Sequence, residues 1–203
     1  MKQVNDRLLT VGAIGGVCLA TISFTALFIY EIEAVELLFF GLTWSLLFSS
    51  SLALFAIGFI GGGRKFNRRS GLITGALAIF FWTLTRIIAV IMIWRLIRGG
   101  LMYLVVGTLF YVAVGLYAGL MISSLVYFLK SPRGRLGFAG GLLMLLSTVL
   151  IWLLAMLQVA MDVFTSRLLI GLLGFLMAAG VLWMSCSLFV QSRITPTVGA
   201  QEG

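Results

Sequence analysis

Six stretches of the chain hold only one charged residue between them, Arg86: Leu8–Tyr30, Leu37–Ile60, Gly71–Trp94, Leu101–Leu129, Leu136–Met161 and Leu168–Val190, each 23 to 29 residues long. A helix rising 1.5 Å per residue crosses a hydrocarbon layer about 30 Å thick in ~20 residues, so every stretch can span a bilayer. Lipid offers the backbone no hydrogen bonds, and a helix meets that demand within its own segment. Composition closes off the soluble alternative. Apolar residues make up 62% of the chain before its 24 glycines are counted, and only 14 basic and 6 acidic residues stand among 203. A soluble domain carries about 25% charged residues and has no way to hide this much apolar surface. The expected fold class is an all-α membrane protein with six transmembrane helices. The fourth stretch, at 29 residues, needs tilt or an end outside the hydrocarbon.

The charges set an orientation. With the N-terminus in the cytoplasm, that side receives Lys2, Arg7, Arg64, Lys65, Arg68, Arg69, Lys130, Arg133, Arg135 and Arg193, ten of the 14 basic residues, against Asp6 and Glu202. The opposite side receives Arg95, Arg98 and Arg167 with Glu31, Glu33, Glu36 and Asp162. The positive-inside rule therefore favours both termini in the cytoplasm, N-in and C-in. The net charge of +8 is topological, spread over short loops and not gathered into a nucleic-acid-binding face. Residues 1–193 are expected to form one six-helix bundle, with 194–203, which carries Pro196 and Gly199, as a flexible tail. The first stretch is too long for a signal-peptide core and is read as retained. The expected location is a prokaryotic plasma (inner) membrane, with membrane lipids as immediate partners.

Glycine spacing predicts three repeated antiparallel hairpins. Helices 1, 3 and 5 each open on a basic residue followed by a GxxxG pair: Arg7 with Gly12 and Gly16, Arg69 with Gly71 and Gly75, Arg135 with Gly137 and Gly141. Helices 2, 4 and 6 each carry an early glycine, Gly41, Gly107 and Gly174, spaced 66 and 67 residues apart, as internal triplication would leave them. Lipid supplies no hydrophobic force between helices, so association rests on close backbone approach, which small residues permit. Helix 4 has the longest such stripe, Gly107, Gly115, Gly119 and Ser123, interrupted by Tyr111. That stripe serves either packing inside one bundle or contact with a second copy or another membrane subunit.

The stretches Arg135-Leu-Gly-Phe-Ala-Gly-Gly-Leu-Leu and Arg167-Leu-Leu-Ile-Gly-Leu-Leu-Gly-Phe-Leu-Met-Ala-Ala-Gly place a basic residue before a glycine-punctuated apolar helix. In this they resemble the repeats of the HdeD-like acid-resistance membrane proteins. The likeness covers the layout of all six helices. It departs where a proline is expected in the hairpin turns, at Glu31–Glu36 and Arg95–Gly100. The resemblance implies a small six-helix membrane protein built from two-helix repeats and carries no catalytic or ligand motif with it.

Histidine is absent, which removes imidazole haem ligation, His-bearing zinc sites and Ser-His-Asp catalysis. Cys18 and Cys186 lack CxxC spacing and are read as small apolar core residues. No catalytic residue, metal site or cofactor is expected. Arg86 is the intramembrane polar candidate. It stands nine residues before Arg95, roughly 13 Å below the outer end of helix 3, where a bare guanidinium costs ~2.5–3.5 kcal/mol. Three readings stay open: snorkelling to the outer headgroups, an ion pair or capped arginine inside the bundle, and an anion or lipid-phosphate site. Asp162, ending helix 5, and Gln158, one turn before it, are its expected partners. The many serines and threonines in the spans are expected to bond back to their own helices. The only prolines, Pro132 and Pro196, lie outside the spans, so no broken helix offers an ion site. The expected function is non-enzymatic: a structural or accessory subunit that assembles as a homo-oligomer or with other membrane-protein subunits. The alternative is a small transporter, channel or lipid- or anion-binding protein with Arg86 at its site.

Overall fold

The computed structural model describes residues 2–26, 34–98, 102–157 and 163–194. They form six α-helices and, among the described residues, no strand: α1 Lys2–Ala26, α2 Ala34–Lys65, α3 Arg69–Arg98, α4 Met102–Lys130, α5 Arg135–Leu157 and α6 Val163–Arg193. Among the described residues, three of them contain segments long and apolar enough to cross a membrane, Gln3–Phe24, Tyr111–Lys130 and Gly171–Arg193. Helices outrun the apolar stretches at their charged ends. α2 continues past Ile60 through Gly61–Lys65, which the sequence alone assigns to a loop, and α6 continues past Val190 to Arg193. Polarity marks where hydrocarbon stops, but backbone hydrogen bonding decides where a helix stops.

The helices close a ring in chain order, each touching the next and α6 returning to α1, while α2 also touches α6 across the middle. Contact between α4 and α5 is the sparsest around the ring. Two short turns close hairpins at one end. In the α2–α3 turn Asn67 takes the left-handed conformation (φ 50°), and the Arg68 N–H returns to the Gly63 carbonyl at 2.8 Å, a Schellman closure that stops α2. In the α4–α5 turn Pro132 cannot continue the helix and Arg133 has φ 54°. The start of α1 and the end of α6 share this end, because Asp6 pairs with Lys65 and Tyr127 bonds Gln191. Hereafter it is the basic end.

Large apolar side chains cover the outside as well as the core, and several polar ones lie inside. Ile14, Phe80, Ile122, Leu146, Leu172 and Phe175 are exposed, whereas Thr74, Ser124, Ser147, Ser185 and Gln191 are buried. In lipid the outer surface needs no shelter, and polar groups turn inward. The buried hydroxyls donate to their own helices one turn back: Thr74 to the Ser70 carbonyl at 2.8 Å, Ser147 to Leu143 and Ser185 to Val181 at 2.7 Å. Cys18 and Cys186 correct the expectation of core thiols, since both are exposed. An apolar thiol has no more need of the protein interior than leucine does when acyl chains surround the bundle.

Candidate functional site

The basic end is organised around three consecutive glycines, Gly61, Gly62 and Gly63, in the last turns of α2. With 3.6 residues per turn, successive positions face directions ~100° apart, so a glycine triplet opens three sides of the helix at one level. Each side meets a different helix. A Cβ at Gly61 would crowd Leu8 of α1, one at Gly62 would overlap the Tyr127 hydroxyl of α4, and one at Gly63 would lie 2.7 Å from the Leu72 nitrogen of α3. A glycine inside a helix costs about 1 kcal/mol relative to alanine. Close packing on three sides offsets that cost. Further in, Gly12 of α1 and Gly58 of α2 cross backbone to backbone, and Gly16 lies against the Ser185 hydroxyl of α6.

Aromatic rings fill the space these approaches enclose. Phe59 stands edge-on to Phe55 at 5.1 Å, to Tyr127 at 5.4 Å and to Phe128 at 5.5 Å between centroids. Leu9, Met184 and Leu188 complete the packing. Above this plug lies a polar network. Lys65, whose side chain is 2% exposed, pairs with the Asp6 carboxylate and donates to the main-chain carbonyls of Gln191 at 2.9 Å and Ser192 at 3.0 Å. An ammonium has three protons, and here three acceptors take them. The two carbonyls belong to the last turn of α6, where a cation also meets the negative end of the helix dipole. Below them the Tyr127 hydroxyl donates to Gln191 Oε1 at 2.6 Å. One lysine thus ties α1, α2 and α6, and one tyrosine ties α4 to the same corner.

Two clefts flank the start of α1 at this end. One, of about 550 Å³, runs toward α6 and includes Asp6, Arg7 and Arg193. The other, of about 480 Å³, runs toward the α2–α3 turn and is lined by Asn5, Arg64, Asn67, Arg68 and Arg69 over an apolar edge of Val4 and Leu72.

The structure distributes the residues singled out from sequence unevenly. Gly71 of α3 lies against Gly63, Gly75 against Ile60, Gly137 against Phe128 and Gly141 against Leu125. A Cβ at Gly115 would meet nothing within 4 Å and one at Gly119 only the Leu77 methyl at 3.6 Å, so among the described residues the α4 stripe packs against no helix backbone at these positions. Gly107 lies outside the residues whose surroundings are described. Arg86, on α3, is partly buried and engaged in an interaction; Gln158 and Asp162 lie outside the described residues. No family model, curated protein or solved structure matches the chain.

Sequence reasoning missed the Lys65 network, although its signals are present. Asp6 is the one acid in the basic N-terminal segment, and Lys65 follows the triplet and Arg64 at the rim of α2. An acid so outnumbered by bases asks for a partner, but which base it takes depends on the helix crossing. Gln191 carried no signal beyond being a polar residue just past an apolar run.

Proposed function

We propose that this chain is a non-enzymatic integral membrane protein of six spans, a structural or accessory subunit that assembles with itself or within a larger membrane complex. The observation that carries the reading is the aromatic plug under the Lys65 network. A conduit or carrier needs a hydrated path through its centre, whereas here Phe55, Phe59, Tyr127 and Phe128 pack the middle of the basic end edge to face. The chemistry of the network supports it as well: Lys65 spends its three donors on helix ends and one carboxylate, which makes it a strut and not a base or nucleophile. α4 supplies a surface for assembly, with Gly115 uncovered and Tyr111, Val112 and Ile122 exposed beside it. The glycine pairs of α1, α3 and α5 support a threefold hairpin origin. In each pair the second glycine meets the preceding helix around the ring, Gly75 at α2, Gly141 at α4 and Gly16 at α6, although Gly16 lies equally against Phe55 of α2. The same layout is what kinship with the HdeD-like proteins would require.

The experiment measures mass and permeability on one preparation. The full chain purified in mild detergent should run as a homo-oligomer or with fixed protein partners, and after reconstitution its vesicles should hold ion gradients as well as empty vesicles do. A single chain that dissipates gradients, and that stops doing so on Arg86→Leu, contradicts the subunit reading in favour of a transporter or channel. Orientation is tested separately. The ten bases at one end favour a cytoplasmic basic end, so cysteine placed at Ser70 should resist an impermeant thiol reagent from outside and cysteine at Ala34 should react. The reverse labelling pattern overturns it.

A further inference from the structure

The cleft beside the α2–α3 turn has a charge pattern that its own residues do not balance. Arg64 closes α2, Arg68 lies in the turn, and Arg69 opens α3; all three line one cleft, and no acid does. Arg64 sits favourably at a helix C-terminus, but Arg69 puts a cation at the positive N-terminal end of α3, whose first turn holds no acidic residue. Arg68 adds a separate anomaly. Its Nε is shut off from solvent and, among the described residues, donates to nothing. The neighbouring cleft is different, because there Asp6 stands among the bases and is paired with Lys65. Three guanidiniums and a helix N-terminus converge on about 480 Å³ bordered by the exposed apolar side chains Val4 and Leu72.

We infer that this cleft binds a phosphate group, and that in the membrane the group is the headgroup phosphate of an anionic lipid. Guanidinium forks match phosphate oxygens in pairs, and the helix N-terminus favours the same anion. Asn5 adds an amide from α1. The apolar edge distinguishes the source: below the phosphate an acyl chain runs along Leu72 and Ile73, both exposed on the outside of α3, whereas a free phosphate has no use for that surface. The inference depends on residence in a membrane and not on the assembly reading.

The test is native mass spectrometry of the full chain in detergent doped with phosphatidylglycerol, with phosphatidylcholine in a parallel sample. The wild type should keep one phosphatidylglycerol in preference to phosphatidylcholine. Arg64→Gln with Arg68→Gln should weaken that retention about tenfold or more, since each basic residue at a membrane surface contributes appreciably to anionic-lipid attraction. Arg7→Gln with Arg193→Gln removes the same charge from the other cleft and should change retention less than about twofold. Arg69→Gln, at an exposed residue, serves if the turn double variant does not fold, and should also lower retention. Equal losses from both clefts, or undiminished retention in the folded turn variants, overturn the inference. Excess inorganic phosphate separates the sources. Failure to displace the lipid supports the lipid site, and displacement with binding of phosphate alone supports the phosphate site while overturning its assignment to lipid.

Discussion

The basic-end corner of α1, α2 and α6 and the outer face of α4 carry the same sequence signal, glycines at four-residue spacing, and use it in opposite ways. Gly12 lies backbone to backbone against Gly58, and Gly16 lies against the Ser185 hydroxyl and the Phe55 ring, so a side chain added at either glycine would collide. A Cβ at Gly115 would meet none of the described residues within 4 Å. The difference lies in what surrounds each stripe. At the corner a buried lysine, two helix-end carbonyls and the Asp6 carboxylate fix three helices at one level, and the glycines let the backbones close. On α4 one hydroxyl contact, Tyr117 to Thr148 at 3.0 Å, bridges to α5 where the ring is thinnest. A GxxxG spacing therefore permits close approach without specifying it.

Substitutions can break that comparison, and the largest effect is expected at Gly62. Leucine there must displace Tyr127 from its seat against α2, an overpacking at the most crowded point of the corner, with an expected cost of at least ~3 kcal/mol. Little folded protein should be recovered by size-exclusion chromatography. Lys65→Met comes next. It leaves the Asp6 carboxylate and two α6 carbonyls without their donor, at about 2–3 kcal/mol, the low end for a broken buried pair because Asp6 is itself 33% exposed. Adding Asp6→Asn to that variant should restore about 1 kcal/mol, and a double-mutant cycle by thermal unfolding measures the coupling. Tyr127→Phe removes one hydroxyl bond and keeps the ring in the plug, so a loss of about 1 kcal/mol is expected from the same assay.

Much of the fold was legible in the sequence because lipid, where long apolar runs belong, would make the code simple. An unbroken apolar run can only be a helix there, and Leu8, Leu37, Gly71, Leu101, Leu136 and Leu168 each open a run that falls largely within one observed helix. Helix ends were less legible. Gly61–Lys65 read as loop because glycines and charges replace apolar residues, yet the triplet stays helical through its packing on three sides. The candidate site was scarcely legible at all. It depends on which of ten bases reaches Asp6, and that follows from the crossing of Gly12 over Gly58, a long-range contact between residues 46 apart in sequence. Arg86 drew attention because it is the one charge inside a span; Lys65 did not, because a base at the end of a span looks solvated until the helix ends around it are placed.

The most direct measurement sets Gly12→Leu beside Gly115→Leu, each followed by thermal unfolding in a detergent that keeps the chain monomeric. Gly12→Leu should lower the unfolding midpoint sharply or prevent folding, because its side chain would have to enter the Gly58 backbone. Gly115→Leu should leave stability within ~0.5 kcal/mol, since open space receives the added atoms. Comparable losses in the two variants, or a larger loss at Gly115, would contradict an account in which the clamped corner holds the bundle together and the α4 face is left free for other contacts.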